Sequence, residues 1–392
     1  MQHAVLNRAT MRVADTTEVS GRVTADEVNL DRFHNRIRKV CAFVAATLIP
    51  SSLRWMFLTF ILIVPQVLWG GANPSATPQP TPGKMWFATV GAQSSDEGRQ
   101  ALAFLPNEIW IHAGDSIKWT FDVDEIHTVT FIPDSGPRPP FSMAPPGPQH
   151  IDATFDGSST ESSPALVKGS TFTVTFPTAD NFKQVCLVHN NMTGVVHVLP
   201  ADAPLPHDQD FYDRQAADQR RDLLSDRDGR SVAGCGQCAA NDSLKASVVA
   251  AGTGEISATA GGTQTLSVMR FLKDSIQIRA GDTVEWTNLS PVEPHTVTFG
   301  NVSFGDGLSP FPADLVRVDP DGARHADISS NADNISSGLI FAGAQDPPAG
   351  MGNQTPLTVT RFRVTFHNPG TFPYVCLLHD ELGMTGTVIV LQ

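Results

Sequence analysis

Residues 362–379 read FRVTFHNPGTFPYVCLLH, and residues 172–189 read FTVTFPTADNFKQVCLVH. Phe362, Val364 and Phe366 alternate with polar residues in the first stretch, and Phe172, Val174 and Phe176 do so in the second. A period of two marks a strand with one face in a core and the other in water. Asn368-Pro369-Gly370 is turn chemistry, a break between two such strands. Each stretch then reaches Met-Thr-Gly, at 192–194 and 384–386, and closes on a short apolar strand, 195–199 and 387–391.

The same duplication extends upstream. FLPNEIWIHAGDSIKW at 104–119 matches FLKDSIQIRAGDTVEW at 271–286, and each leads to the string HTVTF, at 127–131 and 295–299. The repeated unit is over 100 residues long, so it is a domain rather than a turn of a solenoid. Many short strands separated by turns predict an all-β chain of two β-sandwiches in tandem.

Each half also carries residue types that a core seldom needs, three of them on one short loop between two strands and a fourth from a distant strand. The first half has His127, Cys186, His189 and Met192; the second has His295, Cys376, His379 and Met384. One thiolate, two imidazoles and a weak thioether are the donors of a type 1 (blue) copper site. A lone buried Cys is usually a small hydrophobe, and a lone Met is usually core. Here Cys-x2-His-x2-Met and Cys-x2-His-x4-Met each follow their own HTVTF, and that recurrence decides for metal.

The chain resembles the plastocyanin, amicyanin and pseudoazurin family of cupredoxins. CLLHDELGMTG at 376–386 is similar to the plastocyanin and pseudoazurin ligand loop, and CLVHNNMTG at 186–194 to the shorter amicyanin loop. The resemblance covers roughly 85–199 and 262–392. It implies two Greek-key cupredoxin sandwiches, His127 and His295 as the upstream ligands, and copper, two ions per chain, cycling between Cu(I) and Cu(II). The expected division is 1–72 as a signal peptide or membrane-anchor region, 73–84 as a Pro-rich tether, 85–199 and 262–392 as cupredoxin domains, and 200–261 as a connector. Tyr212, Ala216, Leu223 and Leu224 space a helix along that connector. Insertions at 132–169 and 300–356 are expected as long loops.

Related folds also carry enzymes. Oxidases that resemble laccase use His-x-His pairs and a His-Cys-His string, and copper nitrite reductases use a His-Cys string. No two of the twelve histidines here are two residues apart, and Val185 and Val375 precede the ligand cysteines. The reading is therefore an electron carrier without catalytic residues. A copper-delivery protein, or an oxidoreductase with an extra copper at a subunit interface on His112 or His197, are the alternatives. His150, His207, His325 and His367, like His112 and His197, lack repeat-equivalent partners and read as surface or loop residues.

A net charge of −13 argues against nucleic acid or an anionic membrane surface as a partner and leaves room for a basic protein partner, the plainer reading being that it keeps an exported protein soluble. The electron-carrier reading implies redox proteins of the cell envelope as partners. Basic residues from Arg32 to Arg54 precede an apolar run from Trp55 to Gly70. That run is short for a membrane span and fits a signal peptide with cleavage after Ala72, an uncleaved anchor being the alternative. The expected location is therefore periplasmic or extracytoplasmic. Cys41 would leave with the signal. Cys235 and Cys238 form a C-x-x-C for which a disulfide is favoured over a metal pair or a redox switch. Asp380 and Glu381 beside His379, against Asn190-Asn191 in the first half, predict the lower reduction potential in the second domain.

Overall fold

The computed structural model describes residues 83–134, 136–225, 247–342 and 359–392. The region 1–72, most of the tether, Cys41 and the Cys235/Cys238 pair lie outside the described residues. Among the described residues no helix is long and apolar enough to cross a membrane.

The first half contains strands β1 (Met85–Gln93), β2 (Arg99–Leu105), β3 (Glu108–His112), β4 (Ser116–Phe121), β5 (Thr130–Phe131), β6 (His150–Thr154), β7 (Glu161–Ser162), β8 (Thr171–Thr175), β9 (Asp180–Val185) and β10 (Thr193–Leu199). Helix α1 (Gln209–Leu224) follows. The second half contains β11 (Val248–Thr259), β12 (Gly262–Leu272), β13 (Ser275–Arg279), β14 (Thr283–Leu289), β15 (Thr298–Phe299), the one-turn helix α2 (Phe304–Gly307), β16 (Pro310–Phe311), β17 (Arg317–Val318), β18 (Arg324–Ile328), β19 (Ile335–Ser337), β20 (Arg361–Phe366), β21 (Gly370–Val375) and β22 (Thr385–Leu391). The chain is mainly strand, arranged as two sandwiches.

Each sandwich closes over the side chains that the alternation points inward. Phe172, Val174 and Phe176 are fully buried with Trp119, Phe131 and Phe155, and Phe362, Val364 and Phe366 are buried with Trp286 and Phe299. In the first half β3-β10-β9-β5-β7 form one sheet, and in the second β13-β22-β21-β15-β19-β16 form its counterpart. The opposite sheets of the two halves are continuous. Strand β12 pairs antiparallel with β2, Thr265 opposite Leu102 through Val268 opposite Arg99, giving one sheet of eleven strands. Across this seam the Asn107 amide donates to Thr259 Oγ1 at 2.7 Å, and Thr263 N–H donates to Thr193 Oγ1 at 2.8 Å.

The helix of the connector is part of the first half rather than a spacer. Asp208 caps it, its side chain accepting from Phe211 N–H at 2.9 Å. Leu223, Ala216 and Leu224 pack on Ala92, Ala101, Ala103 and Leu105 of β1 and β2. Tyr212 is buried against Trp86, and its hydroxyl accepts from Trp110 N–H at 2.8 Å and donates to Trp110 C=O at 3.2 Å.

The insertions differ from the expected loops. The first adds β6 beside β8 and β7 beside β5; the second adds β18 beside β20 with β17 outside it, and β19 beside β15 with β16 outside it. Both carry a matched short segment, ESSPALV at 161–167 and ISSGLIF at 335–341. Leu166 exchanges both backbone hydrogen bonds with His127 (2.9 and 2.8 Å), and Ile340 exchanges both with His295 (3.0 and 2.8 Å). Each insertion thus fixes the backbone of the histidine in HTVTF.

Candidate metal centres

The strings noted in the sequence converge at one end of each sandwich. In the first half His127 and His189 place their Nδ1 atoms 3.0 Å apart, with Cys186 Sγ 3.9 and 3.6 Å from them. In the second, His295 and His379 Nδ1 are 3.1 Å apart, with Cys376 Sγ at 3.8 and 3.5 Å. All six residues are buried. The circle through each triangle of donors has a radius of about 2 Å, the length of a nitrogen–metal bond. The donors are therefore already spaced for one ion per half, and their chemistry suits copper.

Met192 and Met384 are fully buried in the same clusters as Cys186 and Cys376. Their backbones close the ligand loops: Cys186 N–H donates to Met192 C=O and Cys376 N–H to Met384 C=O, both at 3.0 Å. The longer loop of the second half takes up its two extra residues as a single 3-10 turn, Asp380–Leu382, ended by Gly383 at φ 84°.

The family model for copper binding proteins of the plastocyanin/azurin family matches residues 91–199 and 257–391, well over half of the chain. The chain belongs to this family. A comparison with curated protein sequences found no match. Among solved structures, plastocyanin from Dryopteris crassirhizoma is 19% identical over 37% of this chain and 99% of its own, with a TM-score of 0.19. Amicyanin from Paracoccus versutus is 19% identical over 39% of this chain and 88% of its own, TM-score 0.18. A copper-containing nitrite reductase from Thermus scotoductus is 10% identical over 80% of this chain and 69% of its own, TM-score 0.21.

Every position of the HTVTF string in this copper-binding protein has a task. The Thr after the histidine directs its N–H at the thiol, Thr128 to Cys186 Sγ at 3.5 Å and Thr296 to Cys376 Sγ at 3.4 Å. Its hydroxyl accepts from the residue after the cysteine, Leu187 or Leu377 N–H, both at 2.8 Å. Val129 and Val297 fill the core, and their N–H groups donate to Ser163 and Ser337 Oγ at 2.9 and 2.8 Å. The second Thr meets Ser162 or Ser336 on the insertion strand (2.7 and 2.9 Å), and the Phe is core.

Sequence reasoning missed four features of this neighbourhood. Gly91 and Gly252 lie at matching bulges of β1 and β11, both at positive φ, and the histidine rings pack against them. A Cβ on Gly252 would fall 2.2 Å from His295 Nε2; on Gly91 it would meet Val123 at 2.3 Å and His127 Nε2 at 2.9 Å. A glycine inside a strand is the signal for such close approach. The Ser-Ser pairs just described are the second feature. The third is Arg138, whose guanidinium donates to Cys186 C=O and to Asn190 Oδ1, bringing a cation to the first site. The fourth is a glutamate two residues before each upstream histidine, Glu125 and Glu293, both buried.

Electrostatics separate the two halves. Burial lowers the basicity of His127, and it pushes His295 down to about 3, so both stay neutral as ligands require. Burial opposes charge on His189, but Glu293 and Cys186 together outweigh it and hold that imidazole well above its usual value. Burial resists ionisation of Cys186, yet hydrogen bonds from His127 and His189 hold its thiol well below the ordinary range. Cys376, beside a histidine farther from Glu293, is pushed up to about 11 by burial. The remaining described histidines have other engagements: His112 with Ala203 C=O, His150 with Thr171, His197 with Asn181 and Glu108, His207 stacked on Phe211, His325 with Asp319, and His367 with Asp327.

Proposed function

We propose that the chain is an exported one-electron carrier of the cell envelope, with one type 1 copper in each half. The observation that carries this reading is the pair of pre-spaced His-Cys-His triangles, buried and braced from every side. Copper would supply the one-electron redox change. His127, Cys186 and His189 would hold one ion and His295, Cys376 and His379 the other, with Met192 and Met384 as axial donors.

The residues around the ligands do the rest. Leu166 and Ile340 pin the upstream histidine backbones, Thr128 and Thr296 tie the cysteine loops to the HTVTF strands, and the bulge glycines seat the rings. Ligands locked in this way move little when charge changes, which keeps reorganisation small. The N–H groups of Thr128 and Thr296 stabilise negative charge on sulfur. Reversible delivery of copper would need ligands that open to solvent, whereas all six are buried. Catalysis at a further copper would need free histidines, and the other described ones are engaged elsewhere. We therefore propose that the chain is not an enzyme and that its partners are other redox proteins.

Copper analysis with optical and paramagnetic-resonance spectra tests this reading. Two coppers and an intense blue band are expected, with Cys186→Ser and Cys376→Ser each removing about half of the colour, because the thiolate produces it. A colourless protein at full copper loading would refute the proposal.

A further inference from the structure

The outer edges of the two ligand sets are directed at each other, with one carboxylate between them. Glu293 Oε1 lies 3.1 Å from His189 Nε2 of the other half, and its Oε2 lies 3.8 Å from His379 Nε2 of its own. His189, His379 and Glu293 are each no more than 5% exposed. Glu125, the repeat-equivalent glutamate, stands behind them with Oε1 3.9 Å from His189 Nε2.

The position of Glu293 is built. Asn288 Nδ2 donates to Glu293 C=O at 2.9 Å and to Ile340 C=O at 2.8 Å. Glu293 N–H donates to Ser290 Oγ at 3.1 Å, and Ser290 N–H donates to Asn288 Oδ1 at 2.7 Å. The turn that carries Glu293 is therefore fastened to the same insertion segment that pins His295. A carboxylate buried this deeply is costly unless other groups compensate it, and the groups nearest it are two imidazoles whose Nδ1 atoms face the metal positions.

We infer that Glu293 is the bridging residue that couples the two metal sites into one electron-exchanging pair. This rests on the reading that both sites hold redox copper. An imidazole engaged through Nδ1 presents Nε2–H on its far side, so one carboxylate faces both ligand rings. The path from Nδ1 of His189 through its ring, across Glu293, and through the ring of His379 has only two non-bonded gaps. One electron leaves the reduced site and arrives at the oxidised one; nothing else is gained or lost. The electron transfer itself needs no proton to move, and Glu293 serves only as the bridge. Its negative charge also favours the oxidised state of both sites at once.

The test uses the full two-copper protein and two variants, Glu293→Gln and Glu293→Leu. After one site is reduced by a fast pulse, the rate at which the electron redistributes is read optically. The midpoint of each site is read by titration and the stability by thermal unfolding. Glu293→Leu should slow redistribution by roughly an order of magnitude after correction for driving force. Glu293→Gln, which keeps a polar bridge, should retain most of the rate while both midpoints rise. An unchanged rate in Glu293→Leu with lowered stability would overturn the inference and leave Glu293 a structural staple between halves. A third metal ion lost from the variants would overturn it in favour of a further metal site. If Glu293→Leu fails to fold, Glu293→Gln decides: a midpoint shift at only one site, or at neither, refutes the shared bridge. Fewer than two redox-active coppers in the unmodified protein would instead refute the functional reading beneath it.

Discussion

Substituting Gly252 by alanine should unseat one metal ligand while leaving the fold intact. Gly252 sits at φ 73° in the bulge of β11, and an added Cβ would lie 2.2 Å from His295 Nε2 and 2.9 Å from Cδ2. His295 cannot swing away, because its ring is fully buried and its backbone is paired to Ile340 on both sides. Two costs add. The left-handed backbone costs about 1–2 kcal/mol for a residue with a Cβ. Forcing a methyl into a packed site costs about 1–3 kcal/mol more. Gly281 separates the two, since it has φ 93° with nothing within 4 Å of an added Cβ. Gly281→Ala should show the backbone cost alone. Denaturant midpoints compare stability, and copper content with the blue absorbance reports the site. Gly252→Ala should be less stable than Gly281→Ala by about 1–3 kcal/mol and lose the second-half share of the colour. Equal midpoints and equal colour would refute the claim that the bulge glycine seats the ligand.

Further expectations follow from other contacts. Arg138→Met removes a cation beside Cys186, which favours the oxidised state and should lower the first-site midpoint by about 1 kcal/mol, on the order of 40 mV for one electron; single-site potentiometry in the Cys376→Ser background measures it, and no shift would mean that solvent screens the charge. Without that substitution, the second site should have the lower potential, since Asp380 and Glu381 flank His379 while Arg138 attends the first. Tyr212→Phe strands the Trp110 N–H beneath α1 and should cost about 1–3 kcal/mol, read by thermal unfolding; a neutral result would show that water replaces the hydroxyl. Fractionation of cells should find the native protein outside the cytoplasm, and recovery in the cytosol would refute export.

The parts of the sites that can be read in the sequence are those built from rare residues at short range. His127, Cys186 and His189 announce themselves because imidazole and thiol at fixed spacing recur beside an identical string in the second half. The β class is legible because Phe172, Val174 and Phe176 alternate with threonines. Glu293 is different. Its partner His189 lies over a hundred residues earlier, in the other sandwich, and only the pairing of β12 with β2 brings them together. The E-x-H recurrence at 125 and 293 was visible, but a glutamate near a turn ordinarily faces solvent, and nothing local marks these two as buried. Arg138 is hidden for a related reason: its insertion is rich in Pro and Gly, which reads as loop, and its contact with Cys186 depends on how that loop folds back. The Ser-Ser segments at 162–163 and 336–337 were a readable repeat obscured by insertions of unequal length.

The seam between β2 and β12 also governs how the molecule can be divided. Cut between the halves, each fragment would bare the unpaired N–H and C=O groups of the four residues that now pair across the seam, a template for pairing with a similar edge. Joined, the same groups satisfy one another, and the free edges of the eleven-stranded sheet are only β6 and the two-residue β17. A half produced alone is therefore expected to self-associate through β2 or β12 rather than remain a solitary small domain. The tandem arrangement makes each half the chaperone of the other's exposed border.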